Sequence, residues 1–359
     1  MGKQYKVAVI GATGMVGQRF VTLLDGHPWF TVSALAASAR SSGKTYAEAA
    51  AGRWAMQAAI PAWAAGMPVL DADKDAEEIA GAADFAFCAI ALPTAETRAL
   101  EERYARLECP VVSNNSACRM LPDVPMVIPE VNPGHTAAIE SQRKRLGTRR
   151  GFIAAKSNCS IQCYVPPLHP LLGFGLTDVL ACTYQAVSGS GKTLARMPEI
   201  ADNVIPYIGG EEEKSEREPL KVWGRLEGGV IMDAASPNIT TQCVRVPVSD
   251  GHLAAVFARF SRKPPISEIL GLWEAFEGEP QRLGLPSAPK RFLHYFEEEN
   301  RPQPRLDRDI ENAMAVSVGR LRPDSQYDIK FICLAHNTVR GAAGGGVLLA
   351  ELLCAQGYI

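Results

Sequence analysis

Short apolar runs alternate with amphipathic segments through the first half of the chain, which is typical of a parallel sheet covered by helices. The runs that predict strands are 5–10, 31–36, 85–90 and 110–112. Apolar positions at helical spacing predict an amphipathic helix from Met15 to about Asp25. Alternating strands and helices form βαβ units. We therefore expect a Rossmann-type domain of the α/β class in this half.

The second half has longer extended runs, at 179–187, 240–246, 252–260, 313–320 and 327–334. They predict a large, mostly antiparallel sheet with helices on one face, that is, a second domain of the α+β type. The charged and proline-rich stretch 297–308 is interpreted as a surface loop or an inter-subunit arm. The apolar segment 337–356 predicts a final helix that begins at Asn337 as its cap.

Composition excludes several classes of protein. A chain of 359 residues suggests two domains, and 47% hydrophobic with 21% charged residues is typical of a globular protein. A net charge of −2 argues against nucleic-acid binding. We expect no membrane span and no signal peptide. Nine cysteines without paired spacing favour a reducing, cytoplasmic setting and no metal site, with Cys88, Cys182 and Cys333 as core residues.

Three glycines, Gly11, Gly14 and Gly17, follow the first predicted strand and open the first predicted helix. Glycine permits a tight turn there and lets the backbone approach a pyrophosphate at the helix N-terminus. A plain strand–helix turn is the alternative interpretation. After the second strand the chain has Ser38, Arg40 and Ser41 and no acidic residue, which favours the 2′-phosphate of NADP over the free ribose of NAD. Arg40 as a solvated loop residue is the alternative there.

A cysteine, a histidine and an arginine carry the candidate chemistry. Cys159 precedes an apolar segment, 160–172, and a helix N-terminus at that point would lower its pKa and activate it as a nucleophile. His252 follows a Gly turn, and Arg245 on the preceding strand would need an anionic partner if buried. Each signal is weak alone, because a lone cysteine or histidine is more often structural. The run 211–214 is by default a solvated helix start.

Taken together, these motifs resemble the aspartate-β-semialdehyde dehydrogenase family, over nearly the whole chain and in the family's order. The resemblance is to its archaeal, fungal and deep-bacterial branch. One departure is the bulky run Ser160-Ile161-Gln162-Cys163-Tyr164, where the family commonly has small residues. The matching segments are Gly11-Ala12-Thr13-Gly14-Met15-Val16-Gly17, Ser113-Asn114-Asn115-Ser116 with Arg119, Pro129-Glu130-Val131-Asn132, Ser157-Asn158-Cys159-Ser160, 184–191, Gly210-Glu211-Glu212-Glu213-Lys214, Arg245-Val246-Pro247 with His252, and 336–344.

The resemblance implies reversible, NADP-dependent reductive dephosphorylation of L-aspartyl-4-phosphate to L-aspartate-4-semialdehyde and phosphate, a step toward lysine, threonine, methionine and diaminopimelate. It implies Cys159 as nucleophile, His252 as proton shuttle and Gln185 as an orienting group. Arg245 and Glu211 would hold the α-carboxylate and the α-ammonium, and Arg119, Lys214 and Asn158 the phosphate. The implied cofactor residues are Gly11, Thr13, Gly14, Met15, Val16, Ser38, Arg40, Ser41, Ser188, Gly189 and Asn337.

The resemblance also implies a cofactor domain, 1–157 with 337–359, a catalytic and dimerisation domain, 158–336, and a homodimer or a dimer of dimers. Three alternatives remain open. A reductase of N-acetylglutamyl phosphate has less use for Glu211 as an ammonium partner. A malonyl-CoA reductase needs no phosphate clamp, so Glu211 with Lys214 favours aspartyl phosphate. A non-catalytic NADP sensor would not need Cys159, His252 and Arg245 together.

Overall fold

The computed structural model describes residues 4–359, so residues 1–3 of the expected first domain, and the start of the segment searched for a signal peptide, lie outside the described residues. Seven strands form the first sheet: β1 (Tyr5–Ile10), β2 (Phe30–Ala37), β3 (Val69–Asp71), β4 (Phe85–Cys88), β5 (Val111–Ser113), β6 (Met126–Val127) and β7 (Ile153–Lys156). The helices among them are α1 (Met15–Leu23), α2 (Tyr46–Ala50), α3 (Ala62–Ala65), α4 (Ala76–Ala82), α5 (Thr94–Arg106) and α6 (Ile139–Leu146).

The first sheet has the strand order β3-β2-β1-β4-β5-β7-β6, and all of its pairs are parallel. This confirms the Rossmann-type prediction. The order reverses between β1 and β4, and such a switch point opens a crevice at the carboxyl ends of the strands. The glycine turn after β1 lies at this crevice.

The rest of the chain forms a second sheet, the helices that cover it, a separate hairpin and a final helix. Its elements are α7 (Ile161–Leu168), β8 (Leu176–Gln185), α8 (Glu211–Val222), β9 (Arg225–Glu227), β10 (Val230–Met232), β11 (Asn238–Arg245), β12 (His252–Phe260), α9 (Ile266–Glu274), α10 (Glu279–Arg282), β13 (Leu293–Phe296), α11 (Pro304–Asp307), α12 (Ile310–Ala313), β14 (Val316–Pro323), β15 (Ile329–Ala335) and α13 (Gly344–Ala355). Strands β9 and β10 form a separate hairpin.

The second sheet runs β11-β8-β12-β15-β14-β13 and is mixed. The pairs β8–β12, β12–β15 and β14–β15 are antiparallel, whereas the outer pairs β11–β8 and β13–β14 are parallel. One face packs against α7 and α9 in a core that contains Tyr164, Trp273 and Phe331. Helix α13 instead packs with the first sheet, where Val347 and Leu353 join the core of Val7, Phe20 and Phe87.

Three local predictions differ from the structure. Helix α13 begins at Gly344 and not at Asn337, because 339–343 form a π-helical turn and the Asn337 side chain bonds elsewhere. Within 297–308 the chain is partly packed, since α11 buries Asp307 against Arg301. Cys182 is half-exposed because it points to the open face of β8, whereas Cys88 and Cys333 are buried as expected.

Within residues 4–359, no helix combines the length and the apolar character that crossing a bilayer requires.

Candidate active site

The two sheets meet at Cys159. This residue lies between the end of β7 and the start of α7, and its Sγ is 3.4 Å from Nε2 of His252, the first residue of β12. The Cys159 side chain opens onto a cavity of about 480 Å³. The cavity lining includes Asn114, Arg119, Asn158, Gln185, Ser188, Gly189, Glu211, Lys214, Arg245 and Asn337. Residues separated by more than 200 positions in the sequence therefore face one space.

The thiol of Cys159 is buried among charged side chains. Burial, reinforced by the Glu211 carboxylate, raises its pKa to about 11, while Lys156, Arg119 and Arg245 act in the opposite direction. The lowering of this pKa by the N-terminus of the following helix stays a prediction. The thiolate, which is the nucleophilic form, must be stabilised by the cations around it.

His252 is held in one orientation and one tautomer. The backbone N–H of Ala186 donates to Nδ1 at 3.0 Å, so the neutral ring carries its proton on Nε2, which faces Cys159. Burial, reinforced by Arg245 and His336, keeps the pKa of His252 well below its usual value. The imidazole is therefore neutral near physiological pH and presents an N–H donor to the sulfur.

A carboxylate and a guanidinium stand on opposite elements of the cavity. Glu211 is buried at the start of α8, where it accepts from Asn158 Nδ2 at 2.9 Å and from Gln185 Nε2 at 3.4 Å. Arg245, at the end of β11, is also buried and donates to the carbonyl oxygen of Ala186 at 2.7 Å. The pair suits a ligand that carries both an ammonium and a carboxylate. Glu211 is thus part of the site and not the solvated helix start that its charge run predicts by default.

Two further cations line the cavity near Asn158. Lys214 Nζ is 3.7 Å from Glu211 Oε2 and its side chain is partly exposed. Arg119 is buried, and its Nη1 is 2.9 Å from Glu218 Oε1, while its Nε has no partner among the described residues. Arg119 and Lys214 can therefore both bind an anion in the cavity.

Glu218 is a site residue that sequence reasoning missed. It is buried, pairs with Arg119, and its Oε2 accepts the backbone N–H of Asn158 at 2.5 Å. Its position in the sequence could have indicated this role, because Glu218 lies seven positions after Glu211 and so on the same face of α8.

Asn114 is a second polar residue of the cavity, and the sequence singles it out only as part of the segment 113–116. Its amide oxygen and nitrogen are both buried without a partner among the described residues, which marks a place for a polar ligand.

The glycine turn has the shape of a dinucleotide cradle. Gly11 has φ +86°, and a Cβ there would lie 2.5 Å from the carbonyl oxygen of Ala89. A Cβ on Gly17 would overlap the carbonyl oxygen of Gly11. Gly14 is the N-cap of α1 and gives it no side-chain cap, so the helix N-terminus beside Met15 is open to a phosphate. Thr13, Met15 and Val16 are half-buried along this turn, and Val16 lines the cavity.

The cavity that contains Val16 and Cys159 is also lined by Ser188, Gly189 and Asn337. Asn337 Nδ2 donates to Ser188 Oγ at 2.8 Å, and Asn337 Oδ1 accepts from the Gly251 N–H at 2.8 Å. Gly189 lies over the reactive pair, since a Cβ there would be 2.8 Å from Arg245 Nη1 and 3.1 Å from His252 Cε1. All three residues line the cavity, as the sequence predicts for the cofactor end of the site.

The loop after β2 lies at the far end of the crevice. Ser38 and Arg40 are exposed, and Ser41 is buried with its hydroxyl 3.3 Å from Arg53 Nη2. Arg53 is therefore a second guanidinium at this loop that sequence reasoning did not single out. The loop thus offers hydroxyls and positive charge at the strand end that holds the ribose in Rossmann domains.

The bulky residues after Cys159 face away from the cavity. Gln162 Nε2 donates to Ser157 Oγ at 2.6 Å, and Tyr164 Oη donates to the Ser215 carbonyl oxygen at 2.5 Å. Gln162 also accepts from Arg340, which forms a buried bidentate ion pair with Glu130. Among residues 4–359, the cavity lining includes none of 160–164. The bulky residues therefore pack in the core and do not line the cavity.

Comparison with known proteins agrees with this geometry. Residues 6–139 match the family model "Semialdehyde dehydrogenase, NAD binding domain", and residues 167–340 match "Semialdehyde dehydrogenase, dimerisation domain". Aspartate-semialdehyde dehydrogenase of Methanothermobacter thermautotrophicus is 45% identical over 350 residues, 97% of this chain and 98% of that protein. The enzyme of Schizosaccharomyces pombe is 41% identical over 361 residues, 99% of each chain.

A crystal structure of aspartate-semialdehyde dehydrogenase with NADP from Candida albicans superposes with a TM-score of 0.89 at 37% identity, over 99% of this chain and 100% of that one. Identity at this level over nearly the whole of both chains establishes the relationship. The chain belongs to the aspartate-semialdehyde dehydrogenase family.

Proposed function

We propose that this protein catalyses the reversible, NADP-dependent reductive dephosphorylation of L-aspartyl-4-phosphate to L-aspartate-4-semialdehyde and phosphate. The observation that carries the proposal is the 3.4 Å contact between Cys159 Sγ and His252 Nε2 in a cavity that also holds Arg245, Glu211 and the end of the glycine cradle. A nucleophile, an N–H donor, an amino-acid clamp and a cofactor site are the parts this reaction needs.

The substrate is held by complementary charges. Arg245 makes a bidentate pair with the α-carboxylate, and Glu211, oriented by Asn158 and Gln185, takes the α-ammonium. Arg119 and Lys214 receive the phosphate, with Asn158 beside them. A reductase of an N-acetylated substrate has no ammonium group for Glu211 to bind, so it has less use for a buried carboxylate at this position.

Covalent catalysis runs through the sulfur. The Cys159 thiolate attacks the acyl carbon, the C–O bond to phosphate breaks, and a thioester remains on the enzyme. NADPH, when bound, supplies the hydride that reduces this thioester. The resulting thiohemiacetal collapses to the aldehyde and regenerates the thiolate. Gln185 orients the substrate against Cys159 during these steps.

We narrow the role of His252 from a proton shuttle to a hydrogen-bond donor. Its low pKa and the Ala186 contact leave a neutral ring with the proton on Nε2. In that form it stabilises the thiolate and the oxygen anion of each tetrahedral adduct. The proton consumed in the overall reaction leaves on the phosphate, so the ring is again neutral at the end of each cycle.

The residues present fit the cofactor. The Gly11 to Gly17 turn and the uncapped N-terminus of α1 suit the pyrophosphate, and Ser38, Arg40 and Ser41 suit the 2′-phosphate. The amide of Asn114, which has no hydrogen-bond partner among residues 4–359, lines the same cavity, where a polar ligand group would satisfy it. Ser188, Gly189 and Asn337 line the cavity together with Cys159 and would hold the nicotinamide.

The test is a substrate panel that follows NADPH absorbance. Aspartate semialdehyde with phosphate and NADP should give rapid reduction, and omission of phosphate should abolish steady turnover. N-acetylglutamate semialdehyde with phosphate, and malonate semialdehyde with CoA, are the competing arms. A higher kcat/KM in either competing arm would refute the proposed substrate, and no reduction in any arm would support a sensor.

We also propose a homodimer formed through the open face of the second sheet. The matched family model is named a dimerisation domain. The strand pair β8–β12 aligns Tyr184 with Leu253, Cys182 with Ala255 and Leu180 with Phe257, and all six are at least partly exposed on that face. An apolar sheet face of this extent favours a second copy as its cover. Sedimentation of the wild-type chain and of A255E should give a dimer and a monomer; a monomeric wild type at micromolar concentration would contradict the proposal.

We also propose a division of the chain into two domains. The cofactor domain comprises 1–157 with 337–359, and the catalytic domain comprises 158–336. This division is supported by the packing of α13 on the first sheet.

We further propose a cytoplasmic location, which fits thiols that form no disulfide within residues 4–359. Fractionation of the native cells would test it.

A further inference from the structure

Lys156 is a buried cation beside the nucleophile that the proposed mechanism does not yet use. It ends β7, three positions before Cys159, and is only 2% exposed. Its ammonium donates to the carbonyl oxygen of Ser157, and it forms no ion pair with a carboxylate in the described part of the chain. Burying an ammonium without a carboxylate costs desolvation free energy, so the Lys156 ammonium needs a compensating interaction.

The C-terminal segment covers both residues. A Cβ on Gly341 would lie 2.9 Å from Cys159 Cβ, and a Cβ on Gly345 would lie 3.3 Å from Lys156 Cε. Gly341 lies in the π-helical turn 339–343 and Gly345 in the first turn of α13, so the two close contacts fall within five consecutive residues. Cys159 and the end of the Lys156 side chain therefore pack against one short stretch of backbone.

The other charged groups that face Lys156 already have partners. Arg119 pairs with Glu218, and Arg340 pairs with Glu130 in a fully buried ion pair. The remaining group that can become an anion is the Cys159 thiol, which has no ion-pair partner of its own within residues 4–359. We infer that Lys156 is a positioning residue that stabilises the Cys159 thiolate through its charge, without touching substrate or cofactor; this rests on the proposed role of Cys159 as nucleophile.

The electrostatics agree with this geometry. The Lys156 ammonium lowers the pKa of Cys159, in opposition to burial and to Glu211, and Arg119 and Arg245 act in the same direction as Lys156. Burial and the charge of Arg119 bring the pKa of Lys156 down to about 7, while Cys159 and Glu218 oppose that change. Protonated Lys156 also lowers the pKa of His252, so its charge favours a thiolate beside a neutral imidazole.

The test is alkylation of Cys159 by iodoacetamide in the full chain without substrate, followed by mass spectrometry of the Cys159 peptide over a pH series. Only the thiolate reacts. K156M removes the charge but keeps a long, flexible side chain. We expect its alkylation near neutral pH to be about tenfold slower, which corresponds to a rise of about one unit in the apparent thiol pKa. K156R, which keeps the charge, should react at a rate closer to that of the wild type.

Lys221 provides the matched control. It is equally buried, but its Nζ donates to the carbonyl oxygens of Arg119, Leu121 and Val124, and it is not among the groups with the largest effect on the pKa of Cys159. K221M should lower stability and leave the alkylation profile unchanged. If K156M does not fold, K156Q is the second neutral variant.

A folded neutral variant at Lys156 with the wild-type alkylation profile would overturn the inference, and so would an equal change in K221M. The readout needs neither substrate nor cofactor. A failure of the proposed reaction in the substrate panel is therefore distinguishable from a failure of this inference.

Discussion

Replacing Gly189 by alanine tests whether the close packing over the reactive pair matters for catalysis. Gly189 does not have a left-handed φ, so alanine meets no backbone penalty there. Its Cβ would lie 2.8 Å from Arg245 Nη1 and 3.1 Å from His252 Cε1. Ordinary contacts between carbon atoms are about 3.5–4.0 Å, so the arginine and the imidazole must each move by roughly 0.5–1 Å.

A displacement of about 1 Å at a catalytic group costs on the order of 100-fold in rate. We expect kcat/KM of G189A for aspartate semialdehyde, with phosphate and NADP, to fall by about 10- to 100-fold. Stability should fall by about 1–3 kcal/mol at most, because only the contact is strained. The KM for NADP, measured separately, reports the cofactor role of Gly189.

The control for this variant is Gly271→Ala. Gly271 lies inside α9, and a Cβ there meets no atom within 4 Å. G271A should leave the kinetics unchanged and stabilise the helix by about 0.5–1 kcal/mol. A G189A enzyme with wild-type kcat/KM would refute the argument that this glycine sets the positions of Arg245 and His252.

Four other changes have defined outcomes. C159A should bind NADP but form no acyl-enzyme, and a substrate adduct in its mass spectrum would remove Cys159 as nucleophile. H252A should lower kcat by about 10²- to 10³-fold, whereas H252Q, which keeps an N–H donor, should recover part of the loss; a Gln variant as poor as the Ala variant would favour the proton shuttle. R40A should reduce the preference for NADP over NAD by about ten- to a hundredfold with NAD kinetics unchanged, and equal kcat/KM for both cofactors in the wild type would contradict this assignment. E130Q leaves Arg340 buried and unpaired, so its free energy of unfolding in urea should fall by about 3–5 kcal/mol; a fall below about 1 kcal/mol would contradict the structural role of the pair.

Periodicity was sufficient for the strands that are long and apolar. The run at 5–10 became β1, and those at 252–260 and 327–334 became β12 and β15 with small changes in bounds. It missed β3, β6, β7, β9, β10 and β13, which are two to four residues long and too short to show a period. It also missed the π-helical turn at 339–343, because helical periodicity does not distinguish a π turn from the α-helix that follows.

The chemistry of the site was predicted where one residue type implies a role. Cys159, His252 and Arg245 fall into that group, and the structure brings Cys159 and Arg245 to one cavity with His252 in contact with Cys159. Glu218 was missed because it acts through Arg119, which is 99 positions away in the sequence. Lys156 lies only three positions before Cys159, but the sequence does not show that its side chain is buried. Glu211 was ambiguous for the same reason, since its neighbours Glu212 and Glu213 carry the same charge.

The sequence by itself determined the parallel sheet and the glycine turn and predicted Cys159 as the nucleophile, because each depends on local spacing and residue type. Only the tertiary structure decided the electrostatic environment of Cys159. The pKa of Cys159 follows from burial and from four charged groups that separate segments bring close together, and the tautomer of His252 follows from the N–H of Ala186, 66 positions away. Electrostatic energies depend on distance in space and on solvent access, and neither quantity is encoded in any one stretch of the chain.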